Sequence, residues 1–138
     1  MHYEPVVISL PIADRATSHD FYRRALALEA LGDPGEDGVP EPLQFVINPG
    51  VRVMLVPRGG FGWTIGGAQV TPPGQHECLL AIGVATEADS DPFIERAVAV
   101  GAGLGTSPGL QPWGYAGAFA DPDGHIWMVR TAPTSPTA

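Results

Sequence analysis

Two stretches of this chain repeat one another at a fixed distance, and a chain built twice from one unit has few folds open to it. Shifted by 72 positions, the segment from Pro11 falls on the segment from Gly83, so that Ala13/Ala85, Ser18/Ser90, Phe21/Phe93, Arg24/Arg96, Ala25/Ala97 and Ala30/Ala102 coincide. Further along, an offset of 74 pairs Phe45 with Phe119, Gly50 with Gly124 and Met54 with Met128. The order of elements repeats as well as the residues. Val6 to Ile12 is an apolar, β-branched strand followed by Asp14, a helix cap, and by Phe21, Ala25 and Leu28 at helical spacing. Leu79 to Val84 is the second such strand, followed by Asp91-Pro92 as helix start and by Phe93, Ala97 and Val100.

Each helix leads to a hairpin. Leu43 to Ile47 and Val51 to Val56 are joined by Asn48-Pro49-Gly50, and Ala116 to Ala120 and His125 to Arg130 by Asp121-Pro122-Asp123-Gly124. Short strands near Glu29 to Leu31 and Leu104 to Thr106 complete a βαβββ pattern in each half. The expected fold class is α+β: two tandem βαβββ units, each with a helix on one face of an antiparallel sheet and the opposite face uncovered. The first unit is expected over 1–58, a Gly-rich linker with aromatic residues over 59–77, the second unit over 78–131 and a disordered tail over 132–138. Phe61 and Trp63 in the linker, and Trp113 and Tyr115 after the second helix, are expected to fold over an apolar surface.

Composition narrows the partners. A formal net charge of −8, with all seven basic residues Arg, argues against nucleic acid and anionic membrane. No apolar run has membrane-spanning length and no basic leader precedes the first strand, so a cytoplasmic protein is expected. The single cysteine, Cys78, excludes an intrachain disulfide and a thiolate metal cluster and reads as a small buried hydrophobe.

The phrase ADRATSHDFYRRALAL after the first strand, the closing FADPDGHIWMV and the duplicated unit resemble the vicinal oxygen chelate superfamily, which includes glyoxalase I, bleomycin-resistance proteins and extradiol dioxygenases. The resemblance runs from about Val6 to Arg130. It implies that the sheets curl into a cup with the helices outside, that the concave face holds a small-molecule ligand, and that the protein is a homodimer. In metal-dependent members the ligands lie on the first and last strands of each unit. Carried onto this chain, those positions are Val7, Met54, Leu79 and Met128. None has the nitrogen or oxygen lone pairs that zinc, nickel or iron require, so neither a metal nor another cofactor is expected.

Strand parity adds Ser9 to the face of Val7, Arg52 and Val56 to that of Met54, and Ile126 and Arg130 to that of Met128. The expected site is an apolar cup lined by Val7, Ser9, Arg52, Met54, Trp63, Leu79, Trp113, Tyr115 and Met128, with Ser9, Arg52 and Tyr115 as polar anchors. Arg52 offers a guanidinium to a carboxylate or phosphate, or a plane to stack on a ring. Of the histidines, His2, His19 and His125 read as surface residues. His76, with Glu77 and Tyr115, supplies the acid/base groups of the competing reading, a superfamily enzyme. The leading expectation is metal-independent binding of a small apolar or aromatic molecule.

Overall fold

The structure, a computed structural model, describes residues 1–131; the expected tail over 132–138 lies outside the described residues. The chain forms two compact units that meet at Pro72/Pro73 in sequence. In the first unit, β1 (Val6–Ile12), α1 (Arg15–Ala25), β2 (Leu43–Asn48), β3 (Val51–Pro57) and α2 (Arg58–Thr64) follow in order, and the sheet runs β1-β3-β2. Alternation along the strands sends Leu10, Ile12, Leu43, Phe45, Val53 and Leu55 into a core beneath α1, which contributes Phe21, Tyr22 and Ala25. Tyr22 stacks on Phe45 with ring centroids 5.7 Å apart.

Asp14 caps α1 as expected, its carboxylate accepting from the Thr17 N–H at 2.8 Å and the Thr17 hydroxyl at 2.7 Å. The helix stops at Ala25, short of Leu28, because Ala27 turns the backbone to φ +53° and the following residues pair with β2. Ala30 bridges to Phe45, and the Leu31 N–H donates to the Gln44 carbonyl at 2.9 Å. Where a short strand was expected near Glu29 to Leu31, the structure has this isolated bridge instead of a strand. Arg15 is largely covered: its guanidinium donates to Glu41 Oε2 at 2.6 Å and to the carbonyls of Val39 and Pro40, fastening the loop after α1.

The second unit contains β4 (Leu80–Val84), α3 (Glu87–Ala99), β5 (Gly103–Leu104), β6 (Gly109–Gln111), β7 (Gly114–Ala120) and β8 (Ile126–Thr131). Its sheet runs β4-β8-β7-β5, with β6 also paired to β7. Trp127, Val129 and Phe119 are buried with Ile94 and Ala97 of α3. The helix starts earlier than Asp91-Pro92 suggests. Thr86 and Asp89 form a capping box, the Thr86 hydroxyl donating to Asp89 Oδ2 at 2.8 Å and its N–H to the same oxygen at 3.2 Å, which leaves Pro92 inside the helix. The buried stripe is Ser90, Ile94 and Ala97, which shares Ala97 with the expected Phe93, Ala97 and Val100 but lies three residues earlier along the helix. Phe93 lies half-buried beneath the Arg96 guanidinium, 5.0 Å from the ring centroid.

The sheets are not wholly antiparallel, as was expected. β1 runs parallel to β3, and β4 parallel to β8, while the hairpin pairs are antiparallel. Helix, short edge segment and hairpin reverse the chain four times between the first and last strand of a unit, which returns it to its starting direction. Pairing in the two units is related by the same offsets seen in the residues: β1 places Ser9 opposite Met54, and β4 places Ala81 opposite Met128.

Ser90 is fully buried, and its Oγ finds no hydrogen-bond partner among the described residues. A small side chain there lets α3 approach the sheet, but the hydroxyl is desolvated without return. Ser90→Ala is therefore expected to stabilise the protein by about 1 kcal/mol, from relief of the unpaired hydroxyl and better helix propensity. A higher urea midpoint with unchanged slope checks it, and a lower midpoint contradicts it.

Candidate functional site

The face of the first sheet opposite α1 carries the residues that strand parity selects. β1–β3 and β2–β3 registers build two rungs, Val46–Arg52–Val7 and Gln44–Met54–Ser9, with Val56 opposite Pro11 beyond them. All are half-buried or exposed, in contrast to the closed core on the other side; Val7 is 43% and Val46 37% exposed. Val7, Ser9, Arg52 and Met54 thus share one apolar surface with a single charge. Gln44 belongs to it too, although the sequence reading passed it over. Its signal was available: in the hairpin closed by Asn48-Pro49-Gly50, the partner of Met54 lies on β2 and faces the same way.

The linker contributes an element that glycine content concealed. Residues 58–64 form α2, and a Cβ placed on Gly60 would lie 3.6 Å from Val56 Cγ1, so this helix sits at one end of that face. Trp63, however, does not fold over it. Phe61 is half-buried, and two residues further is some 200° around the helix, which leaves Trp63 83% exposed.

In the second unit the face opposite α3 carries Met128 between Ala81 and Ala118, and Arg130 between Gly83 and Ala116. Leu79, just before β4, is 51% exposed and lines an open depression of about 360 Å³ together with His76, Glu77, Cys78 and Ile126. Cys78 is exposed rather than buried, because it precedes the strand instead of starting it. Trp113 occupies the turn between β6 and β7 and is 64% exposed. Tyr115 departs from the expected site altogether. It shares the helix side of β7 with Gly117 and Phe119, and its hydroxyl donates to Asp91 Oδ1 at 2.6 Å, an interaction that raises its pKa. It is a tie between strand and helix, and neither a polar anchor of the apolar face nor an acid/base partner of His76.

The four positions to which the resemblance assigns metal ligands, Val7, Met54, Leu79 and Met128, do not fit a metal ion: valine and leucine have no donor atom, and methionine has only a weak thioether. Among the described residues no group of three or more His, Cys, Asp or Glu is placed to hold one.

Two other histidines have structural surroundings. The His125 N–H and the Asp123 N–H both donate to Asp121 Oδ1 at 2.9 Å, which shapes the β7–β8 turn. His19 stacks near Phe45 with centroids 6.3 Å apart, and its pKa is held below the usual 6.5, mainly by burial and further by the Arg23 charge. The unfolded chain therefore binds a proton at His19 before the folded one does. Its contribution to stability is complete above about pH 6.5 and declines as pH falls through the lowered folded value. His19→Gln is expected to flatten the fall in urea midpoint below that pH; an unchanged profile contradicts this.

The fold recurs in solved structures. A glyoxalase-related enzyme from Fulvimarina pelagi is 29% identical, with 98% of this chain and 92% of that chain covered at a TM-score of 0.81. A glyoxalase/bleomycin resistance protein/dioxygenase family enzyme from Burkholderia phytofirmans PsJN is 15% identical over 95% of this chain and 100% of that chain, with a TM-score of 0.77. An antibiotic binding protein from Streptomyces sp. CB03234 is 22% identical over 96% of this chain and 98% of that chain, with a TM-score of 0.64. No curated protein matches the chain. The model of one family spans residues 4–129, nearly all of both βαβββ units, and the chain belongs to that family, the Glyoxalase/Bleomycin resistance protein/Dioxygenase superfamily.

Proposed function

We propose that this protein binds a small apolar or aromatic molecule, without a metal, on the sheet faces opposite its helices. The observation that carries the reading is the character of those faces: Val7, Val46 and Met54 in the first unit, and Leu79, Ile126 and Met128 in the second, present apolar side chains where metal chemistry would need donors. Apolar walls with a few polar groups are the usual make-up of small-molecule sites. A fold relative that is an antibiotic binding protein supports the same reading. A homodimer belongs to it by resemblance and a cytoplasmic location by the sequence reading; no described helix is long and apolar enough to cross a membrane.

Titration of metal-stripped protein with zinc, nickel, manganese and ferrous iron, followed by calorimetry, is expected to give no stoichiometric tight binding. Calorimetric titration with planar antibiotics and aromatic acids is expected to give saturable binding of at least one of them. Tight metal binding, or silence across the panel, overturns the proposal. Monomers in sedimentation equilibrium at micromolar concentration overturn the dimer.

A second reading, a superfamily enzyme, draws support from the depression that His76 and Glu77 line beside Leu79 and Ile126. An acid/base pair at an apolar wall is a reasonable start for proton transfer. Replacing both with glutamine and retaining full turnover of any substrate found would end that reading.

A further inference from the structure

Fifteen acidic residues against seven arginines give this chain its net charge of −8, yet among the described residues no strand contains an acidic one. Among the described residues the only charged ones in the strands are Arg52 and Arg130, and register places both on the faces opposite the helices. Arg130 is exposed, close to the end of β8. Arg52 is half-buried in the body of β3, with Val7 directly opposite on one side, Val46 on the other, and Met54 as its neighbour on the same strand face. Its side chain makes no hydrogen bond or ion pair among the described residues. The remaining arginines near carboxylates behave otherwise: Arg15 reaches Glu41 at 2.6 Å and Arg24 reaches Asp20 at 3.3 Å.

The side chain of Arg52 leaves a half-buried strand face between two valine positions, and among the described residues no carboxylate pairs with it. Its five donors form a fork suited to a planar or tetrahedral oxyanion, and apolar neighbours strengthen such a bond by excluding water. We infer that the ligand of this face carries an anionic group, a carboxylate, sulfonate or phosphate, on an apolar or aromatic body, and that Arg52 selects it. The inference rests on the proposed binding of an apolar molecule at this face and narrows its chemical class. Valine and methionine side chains hold the body, the Arg52 fork holds the anion, and the Ser9 hydroxyl and Gln44 amide on the next rung can donate to a second oxygen. General electrostatics work in the opposite direction, since a protein of net charge −8 repels anions at long range. A preference for an anion must therefore come from a local cation.

Two dyes that differ in one group test this: 8-anilinonaphthalene-1-sulfonate and its neutral analogue N-phenyl-1-naphthylamine. Both are titrated by fluorescence into the full chain and into Arg52→Leu, Arg52→Lys and Arg130→Leu, each first shown by thermal unfolding to be cooperatively folded. The native protein is expected to bind the sulfonate at least tenfold more tightly than the neutral dye. Arg52→Leu should lose roughly tenfold to a hundredfold in sulfonate affinity and nothing in neutral affinity. Arg52→Lys should retain part of the preference, because it keeps charge without the fork, and Arg130→Leu should retain all of it. Equal binding of both dyes by the native protein, or loss of the preference in Arg130→Leu instead, overturns the role of Arg52 while leaving the apolar site standing. Binding of neither dye overturns both.

Discussion

Trp127→Ala is expected to destabilise the protein by about 3–5 kcal/mol, a large part of the ~5–15 kcal/mol that holds an ordinary domain together. Trp127 is 1% exposed and lies across from Leu80 on β4 and Phe119 on β7, on the side of the sheet that packs under α3. Removing the indole leaves a cavity that the paired strands cannot close without breaking their register. Met128, next along β8, faces the other way and is only half-buried, so Met128→Ala should cost markedly less. Urea unfolding of the two variants checks the contrast, with the midpoint as readout and an unchanged slope as evidence of a common native state. Equal losses would mean that the two faces of the sheet are equally closed, which would also remove the basis for a ligand at Met128.

That alternation is what made much of the fold legible. Periods of two along Val6 to Ile12, Val51 to Pro57 and Ile126 to Thr131 fixed which side of each strand is core, and the structure divides the residues the same way. Ser9, Arg52, Met54 and Met128 could be placed on a face because parity is a local property that tertiary contacts rarely override. Asp14 was legible for a similar reason, since a cap depends only on the next three residues. Elsewhere the local signals competed. In α3 the Thr86/Asp89 box lies ahead of Asp91-Pro92, and it captured the helix start although proline at the first position is a familiar alternative.

Side chains outside the strands were least legible, because nothing periodic constrains them. Tyr115 was assigned to the ligand by its presence in an aromatic, glycine-rich segment, yet residues 114–120 extend β7, and the strand turns Tyr115 toward Asp91. Trp63 and Trp113 were expected to cover apolar surface, but their positions on a short helix and a two-residue turn direct them outward. Arg15 went the other way: an arginine on the polar side of a helix became the fastening of the 39–41 segment because that loop returned to it. Sequence separation of about 25 residues is beyond what pattern reading reaches. The charge census of the strands required no structure at all, but its meaning did. Only register shows that Arg52 stands between two valines instead of beside an acid.

Gly117→Ala is expected to cost about 1–3 kcal/mol, and Gly117→Val more, although alanine at an unconstrained strand position is normally better than glycine by roughly 0.5–1 kcal/mol. The sign of the effect is thus the test. A Cβ at Gly117 would lie 2.5 Å from Ile94 Cδ1 and 3.0 Å from the N and Cα of Pro108. Ile94 is 2% exposed, so its terminal methyl has nowhere to go, and the Pro108 contact is backbone that can yield only by moving the β5–β6 connection. Ile94→Val removes the nearer obstacle and alone costs about 0.5–1.5 kcal/mol. Combined with Gly117→Ala it should cost less than the sum of the two, because the clash with Cδ1 is gone, yet the double variant should stay less stable than Ile94→Val alone, because Pro108 remains. Full additivity in such a cycle would show that Ile94 does not seat on Gly117. A gain in stability from Gly117→Ala alone would show that α3 stands further from the sheet than the close approach at this glycine requires.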